Sequence, residues 1–443
     1  MNDPIPTARL QRALQSTRTV AELGRVVQAA GTVLRATGLH ARIGQQCEVF
    51  DPTQTDNTAT LPAEVIGFSG NEMMLAPYGP LRQLAVGAAV RALADDASVP
   101  AGAGVLGRVV DAFGRPLDGA PLRQSHACPN PLHAPAPLPL ARRPIVSPFS
   151  TGVRAIDSTL TVGEGQRVGI FSMAGGGKST LLGMLARHAH ADVNVIALVG
   201  ERGREVREFL DDCLGEAGLA RSVVVVSTSD RPALERVRAA YAATAFAEGF
   251  RRAGRRVLLL VDSVTRFARG LRELGLSALE PPVRRGYPPS VFAELPRLFE
   301  RAGNDAAGSI TAFYTVLVED DDQGDPVAEE VRSILDGHIV LSRDLVHAHH
   351  YPAIDVLASV SRAFARVTAR EHQDSAAALR ELLNAYKEVE FLLRIGEYKP
   401  GGPNRGADRA IERMDSLRAF LRQRVDEASD FDTTVARLME IVR

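Results

Sequence analysis

The sequence predicts an α/β protein in which a central parallel-sheet domain stands between an N-terminal domain of short strands and a C-terminal domain of helices. Three observations carry this. In the middle of the chain, nearly continuous apolar segments (QRVGIFS, VNVIALVG, SVVVVST, RVLLLVD, SITAFYTVLV and HIVLS) alternate with helical stretches such as STLLGMLARHAH. That alternation is the mark of parallel strands covered on both faces. Ahead of them, GRVVQAAGTVLRA, ARIGQQCEVF, AEVIGFSG and NEMMLAPYG are short Val- and Ile-bearing runs separated by turn residues. Behind them strands vanish, and SAAALRELLNAYKEVEFLLRIG carries apolar residues at helical spacing.

Taken in order, residues 1–24 form an N-terminal segment with a short amphipathic helix expected from Leu10 to Leu23, and residues 25–95 a small barrel or sandwich. Residues 96–360 hold the sheet domain and residues 361–443 the helices. Eight prolines between Pro121 and Pro148 disfavour helix and sheet alike, so 121–148 reads as an extended connector laid over the sheet domain. With 443 residues, two or three domains are expected rather than one core. Lys plus Arg (52) nearly cancels Asp plus Glu (53), which argues against a generally basic nucleic-acid binder. Cys47, Cys128 and Cys213 have no paired spacing, so neither a disulfide framework nor a zinc cluster is indicated and a reducing cytosol fits. No stretch reaches the roughly 18 apolar residues of a membrane span, and the N-terminus has no apolar leader core. Contact with a membrane is therefore expected only through partners.

The sharpest local feature is Ala174-Gly175-Gly176-Gly177-Lys178-Ser179-Thr180 between the strand RVGIFS and the helix STLLGMLARHA. Glycines let backbone N–H groups surround phosphate oxygens, and the helix N-terminus adds its positive end. Lys178 can reach the β/γ-phosphates, and the Ser179 hydroxyl can ligate magnesium. Against the pattern G-x-x-x-x-G-K-S/T, Ser172 replaces the first glycine.

Binding a nucleotide is not hydrolysing it, so later strand ends must supply further groups. VNVIALVG leads into Glu201, at the carboxyl edge of a parallel sheet where ligands bind. It is the candidate for polarising the attacking water, although a loop carboxylate after a strand is common. Val257 to Val261 runs straight into Asp262, an apolar run ending in a carboxylate that can hold the magnesium shell. His347, His349 and His350 lack a matching ligand group and read as a solvated loop.

Read together, LGRVVDAFGRPLDG, STGVRAIDSTLTVGEGQRVGIF, AGGGKSTLL, GERGREVREF, DSVTRFA, RRGYPPSVFAELPRLFERAG and DPVAEEVRSILDGHIVLSR resemble the rotary-ATPase nucleotide-binding family, and within it the type III secretion ATPases. The likeness covers nearly the whole chain. It implies an N-terminal β-barrel, a RecA-like P-loop parallel-sheet domain and a C-terminal helical domain. It also implies ATP and Mg2+ as ligands, Lys178 and Ser179 on phosphate and metal, Glu201 as catalytic carboxylate, Arg202 and Arg266 near the phosphates, and Asp262 on the metal. Tyr351 is similar to the aromatic that stacks on adenine, and Arg362 to the arginine finger received by a neighbouring subunit; a buried core tyrosine and a surface ion pair are the plain alternatives.

The resemblance further implies a homohexamer in the cytoplasm, peripheral at the inner-membrane base of a secretion apparatus. Its expected partners are chaperone–effector complexes and the stator and central-stalk proteins, with no nucleic acid. Its work would be to release chaperones from secretion substrates and to unfold and export them. A flagellar export ATPase, an ATP synthase-type catalytic subunit and a RecA-like nucleic-acid translocase are the alternatives. Met173 and Asp320 depart from the family pattern without touching a phosphate contact.

Overall fold

The N-terminal strands alternate inward and outward residues, and the first pairs with the last. The computed structural model describes residues 22–52, 60–81, 84–85, 87–93, 97–122, 129–318, 324–399, 401 and 404–443. The helix expected from Leu10 falls almost wholly outside them, as do Cys128 and Asp320. The chain divides into two compact units, Met1–Ala97 and Ser98–Arg443.

In the first unit β1 (Gly24–Ala30), β2 (Val33–Thr37), β3 (Gln46–Phe50), β4 (Leu61–Ser69), β5 (Glu72–Pro77) and β6 (Ala89–Ala92) form a closed barrel in the order β1-β2-β5-β4-β3-β6. The choice between barrel and sandwich thus resolves to barrel. β2 and β3 alternate half-buried and buried positions, and Leu34, Ala36, Cys47, Val49, Val65, Leu75 and Val90 fill the interior. The hairpin between β4 and β5 turns on Gly70, whose φ of 59° suits glycine in a tight hairpin loop. Burial, with Glu64 adding to it, pushes the Cys47 thiol up to about 11, so it is a small apolar filler rather than a nucleophile.

The second unit is built on a nine-stranded sheet. Its strands are β8 (Arg108–Val110), β12 (Arg167–Ser172), β13 (Val193–Glu201), β14 (Ser222–Thr228), β15 (Arg256–Asp262), β16 (Gly303–Asn304), β17 (Ser309–Leu317), β18 (Gly337–Leu341) and β19 (Ile354–Ser361). Two small ribbons flank it, β7 (Ser98–Val99) with β9 (Asn130–Pro131) and β10 (Pro148–Phe149) with β11 (Val162–Gly163). The order is β19-β18-β12-β17-β15-β13-β14-β8, with β16 pairing on β17. From β18 to β8 neighbours run parallel, whereas β19 runs antiparallel to β18. β13 is buried along its whole length, as strands covered on both faces must be. The alanine-rich helix Ala233–Arg252 lies over β13, β14 and β15.

The proline-rich connector is tied down by side chains. Arg142 donates to the Ala302 carbonyl at 2.8 Å, and Arg143 to those of Asp305 and Gly308 at 2.6 and 3.1 Å. Nearer its start, the Leu132 carbonyl accepts from Arg301, which also grips Glu248 with two bonds of 2.9 and 2.7 Å. Both ions of that pair are almost fully buried. Glu248→Ala should therefore lower the free energy of unfolding by about 3–5 kcal/mol, because the guanidinium stays buried without its counter-charge; urea denaturation measures it.

The helices Arg370–Arg394, Arg405–Leu421 and Phe431–Val442 do not own a separate core. Leu379, Leu417, Phe420 and Leu438 belong to the same apolar cluster as Ile156, Leu182 and Ile339. The short helix Arg154–Thr159, buried at every residue, packs against all three. Among the described residues no helix is long and apolar enough to cross a membrane.

Candidate active site

The glycine loop has the conformation that its sequence demands. β12 ends at Ser172, and Gly175 (φ 76°) and Gly177 (φ 80°) occupy the left-handed region that glycine enters without strain. At Gly176 a Cβ would come within 3.1 Å of the Met173 carbonyl, which accepts the Gly176 N–H. Ser172 is tolerated in place of the first glycine because that position is still extended strand. Gly177 leads into the helix Lys178–His188, whose first N–H groups have no side-chain cap and stand ready for an anion.

Parallel pairing brings the two expected carboxylates to this loop. Asp262 ends β15 and Glu201 ends the adjacent β13. Lys178 Nζ lies 2.5 Å from Asp262 Oδ1 and 3.3 Å from Glu201 Oε1. Burial works against the Lys178 ammonium, but the two carboxylates prevail and raise its pKa. Asp262 is held from β17 as well, where Thr315 Oγ1 donates to Oδ1 at 2.8 Å.

Glu201 is 9% exposed, and burial pushes its carboxyl up to about 7. The Asp262 charge and a hydrogen bond with Glu205 push the same way, while Lys178 and Arg266 oppose them. The same hydrogen bond holds Glu205 below its ordinary value. A carboxyl that titrates near neutrality beside an anionic partner suits proton acceptance at working pH. Sequence reasoning missed Thr315 and Glu205. The signal for Thr315 was a hydroxyl within an otherwise apolar strand, but placing it on Asp262 takes the cross-strand register.

Arg266 sits in the first turn of the helix Val264–Ser277, with its side-chain carbons packed on Gly200, where a Cβ would approach them to 3.1–3.4 Å. Its Nε is buried without a hydrogen-bond partner among the described residues, which fits a site completed by an anion. Arg202 lies differently: its side chain is 75% exposed and faces Glu205 at 3.4 Å. Tyr351 is half-buried rather than a core residue. A Cβ on Gly177 would stand 3.5 Å from its ring, and with Thr180 and residues 422–427 it lines an open cleft of about 780 Å³.

Arg362 is not in this cluster. Because β19 runs antiparallel to β18, with Gly337 paired to Ser361, its end lies at the start of the parallel strands. The Arg362 N–H donates to the Asp336 carbonyl, and Asp336 is level with Arg167 at the foot of β12. The phosphate loop is at the head of β12, about 17 Å away at strand spacing. Among the described residues the exposed Arg362 guanidinium has no hydrogen bond or ion pair, so the surface ion pair is not found.

One expectation needs correction. His347 and His349 are exposed, but His350 is 5% exposed, and burial, with Arg422 and Arg418 nearby, lowers it to about 4. It is a neutral packed side chain rather than part of a solvated loop. Among the described residues no three His, Cys, Asp or Glu form a metal cage. Magnesium binds through one or two protein oxygens, substrate phosphates and water; the exposed Ser179 hydroxyl and the Asp262 carboxylate are oxygens of that kind.

Known proteins resemble this chain along nearly its whole length. Residues 152–361 match the ATP synthase alpha/beta family, nucleotide-binding domain, and residues 368–440 the T3SS EscN ATPase C-terminal domain. The chain is 51% identical over 440 residues to a type 3 secretion system ATPase of Xanthomonas euvesicatoria, covering 99% of this chain and 98% of the relative. It is 46% identical over 435 residues to the flagellum-specific ATP synthase of Bacillus subtilis, covering 98% of each. A solved structure of the assembled ATPase EscN with its central stalk EscO, from the type III secretion system of enteropathogenic E. coli, superposes with a TM-score of 0.86 at 45% identity, covering 95% of this chain and 100% of that one.

Proposed function

The chain belongs to the type III secretion system ATPases of the ATP synthase alpha/beta family and is an ATP-hydrolysing enzyme, and on that premise we propose how its residues carry out hydrolysis. The reading rests chiefly on Lys178 held between Glu201 and Asp262 beside the glycine loop. The N–H groups of residues 174–180 cradle the phosphates, and Lys178 leaves its carboxylate partners for the β- and γ-oxygens. Ser179 and Asp262 would hold Mg2+, which would neutralise phosphate charge. Glu201 orients a water against the γ-phosphorus and accepts its proton as the new P–O bond forms. The bond from the γ-phosphorus to the bridging oxygen of ADP breaks, and the electron pair leaves with ADP. Arg266 stabilises charge on the transferred group from within the subunit.

Arg362 stabilises the same charge from a neighbouring subunit, since it stands at the wrong edge of the sheet to serve its own site. The working form is then a ring of identical subunits, a hexamer. The ring engages a central-stalk protein, as the assembled EscN does, and stator proteins, and reaches the cytoplasmic face of the inner membrane through them. Hydrolysis there releases chaperones from secretion substrates and unfolds them for export. If a purified chaperone–substrate complex stayed intact under ATP turnover by the assembled enzyme, that step would be wrong.

Tyr351 stacks on adenine in the cleft beside Gly177. Tyr351→Ala should raise KM for ATP by about 5- to 150-fold, the equivalent of about 1–3 kcal/mol of stacking, with kcat nearly unchanged. Steady-state kinetics reads the split, and a fall in kcat at unchanged KM would contradict it.

A further inference from the structure

We infer that Gln166 is a positioning residue for Arg362, so that the strand carrying one subunit's phosphate loop also sets the arginine offered to its neighbour. The inference rests on the shared-site reading above. Because the guanidinium of Arg362 has no partner among the described residues, its reach depends on how the backbone at residues 361 and 362 is anchored. Beyond the pairing of Ser361 with Gly337 in the β18–β19 ladder, two anchors there lead to one side chain. Gln166 is fully buried. Its Oε1 accepts the Gly163 N–H at 2.8 Å, which fixes the orientation of the amide because only an oxygen can accept there. Nε2 then donates to the Asp336 carbonyl at 2.8 Å and to Ser361 Oγ at 3.1 Å. The Asp336 carbonyl also accepts the Arg362 N–H at 2.9 Å, and Ser361 Oγ donates to the Thr161 carbonyl at 2.9 Å.

Ser361 is therefore bonded to Gln166 directly, and Arg362 through one shared carbonyl oxygen. The approach is close: a Cβ on Gly337 would lie 2.6 Å from the Val360 carbonyl and 3.2 Å from Gln166 Nε2. Arg167 grips the Asp336 carboxylate through Nε at 2.9 Å, which steadies the carbonyl that carries both donors. Gln166 immediately precedes β12, and the glycine loop follows the other end of that strand. Six strand residues thus join the root of the arginine to the phosphate loop, and a shift at either end moves the other. Nucleotide state in one subunit gains a physical route to the adjacent site.

The test is Gln166→Met, which keeps length and loses the amide. Misplacing a transition-state group by about 1 Å can cost about 10²-fold, so kcat should fall at least about 10-fold with KM for ATP nearly unchanged. The defect should act in trans. Co-assembled with Lys178→Ala subunits, which keep Gln166 and Arg362, the variant's own sites should recover turnover per Gln166→Met subunit. A merely structural lesion at β12 would stay in the variant's own site and show no recovery. Arg362→Ala with Lys178→Ala is run in parallel. Recovery there without recovery for Gln166→Met overturns this inference alone; recovery in neither overturns the shared site as well. If Gln166→Met does not fold, Ser361→Ala removes one of the two anchors and should show a smaller loss rescued in trans, whereas wild-type kcat in that variant overturns the inference.

Discussion

Arg362→Ala should lower steady-state ATP turnover by about 10³-fold or more, within the range of about 10³–10⁵ that a transition-state arginine contributes to phosphoryl transfer. The expectation follows from position. Arg362 is exposed and, among the described residues, its side chain is unpaired, so its loss removes none of their contacts and the subunit should fold and bind nucleotide as before. It stands at the foot of the sheet while Lys178, Glu201 and Asp262 meet at its head. The large effect must then come from another subunit's site. A fluorescent ATP analogue should bind the variant normally while phosphate release nearly stops. Turnover near the wild-type rate would leave Arg362 a solvated surface cation.

Glu201→Gln should lower kcat by about 10²- to 10⁴-fold, the usual contribution of a positioned base, and leave ATP affinity intact or improved. In the wild type the acid limb of kcat/KM should lie near pH 7, falling about tenfold per unit below it as the carboxylate that receives the proton disappears. The stability of the ligand-free protein should respond with the opposite sense. The folded carboxyl titrates at about 7, above the ordinary glutamate range, so the folded state binds the proton more tightly than the unfolded one. Its favourable contribution is complete below the ordinary glutamate value and is lost as pH rises through 7. Glu201→Gln should accordingly melt higher than wild type at pH 8, with a smaller difference at pH 5. A pH–rate profile unchanged in Glu201→Gln would assign the titration to another group.

Local chemistry was legible in the sequence and long-range geometry was not. The glycine loop could be read because its three glycines, lysine and serine are adjacent, and its conformation depends on those residues alone. Glu201 and Asp262 were visible as carboxylates ending apolar runs, since parallel strands present their carboxyl ends on one edge. Thr315 and Glu205 escaped because their partners are fixed by register across β15 and β17 and by the turn after β13. Barrel and sandwich share one alternation pattern, and only the pairing of β1 with β6 decides between them. The burial of His350 and the shared core of the C-terminal helices likewise depend on distant partners. The location of Arg362 depended on β19 running antiparallel, and the apolar pattern of that strand does not state its direction.

Each ATP site is completed by a neighbouring subunit on this reading of Arg362. The direct measurement is ATP turnover in rings co-assembled from Arg362→Ala and Lys178→Ala subunits over a range of ratios. Each variant alone should be nearly inactive, and mixtures should recover turnover with a maximum at intermediate ratios, because an Arg362→Ala site receives the intact arginine of a Lys178→Ala neighbour. Mixtures as inactive as either parent, with assembly confirmed by mass, would contradict the shared site.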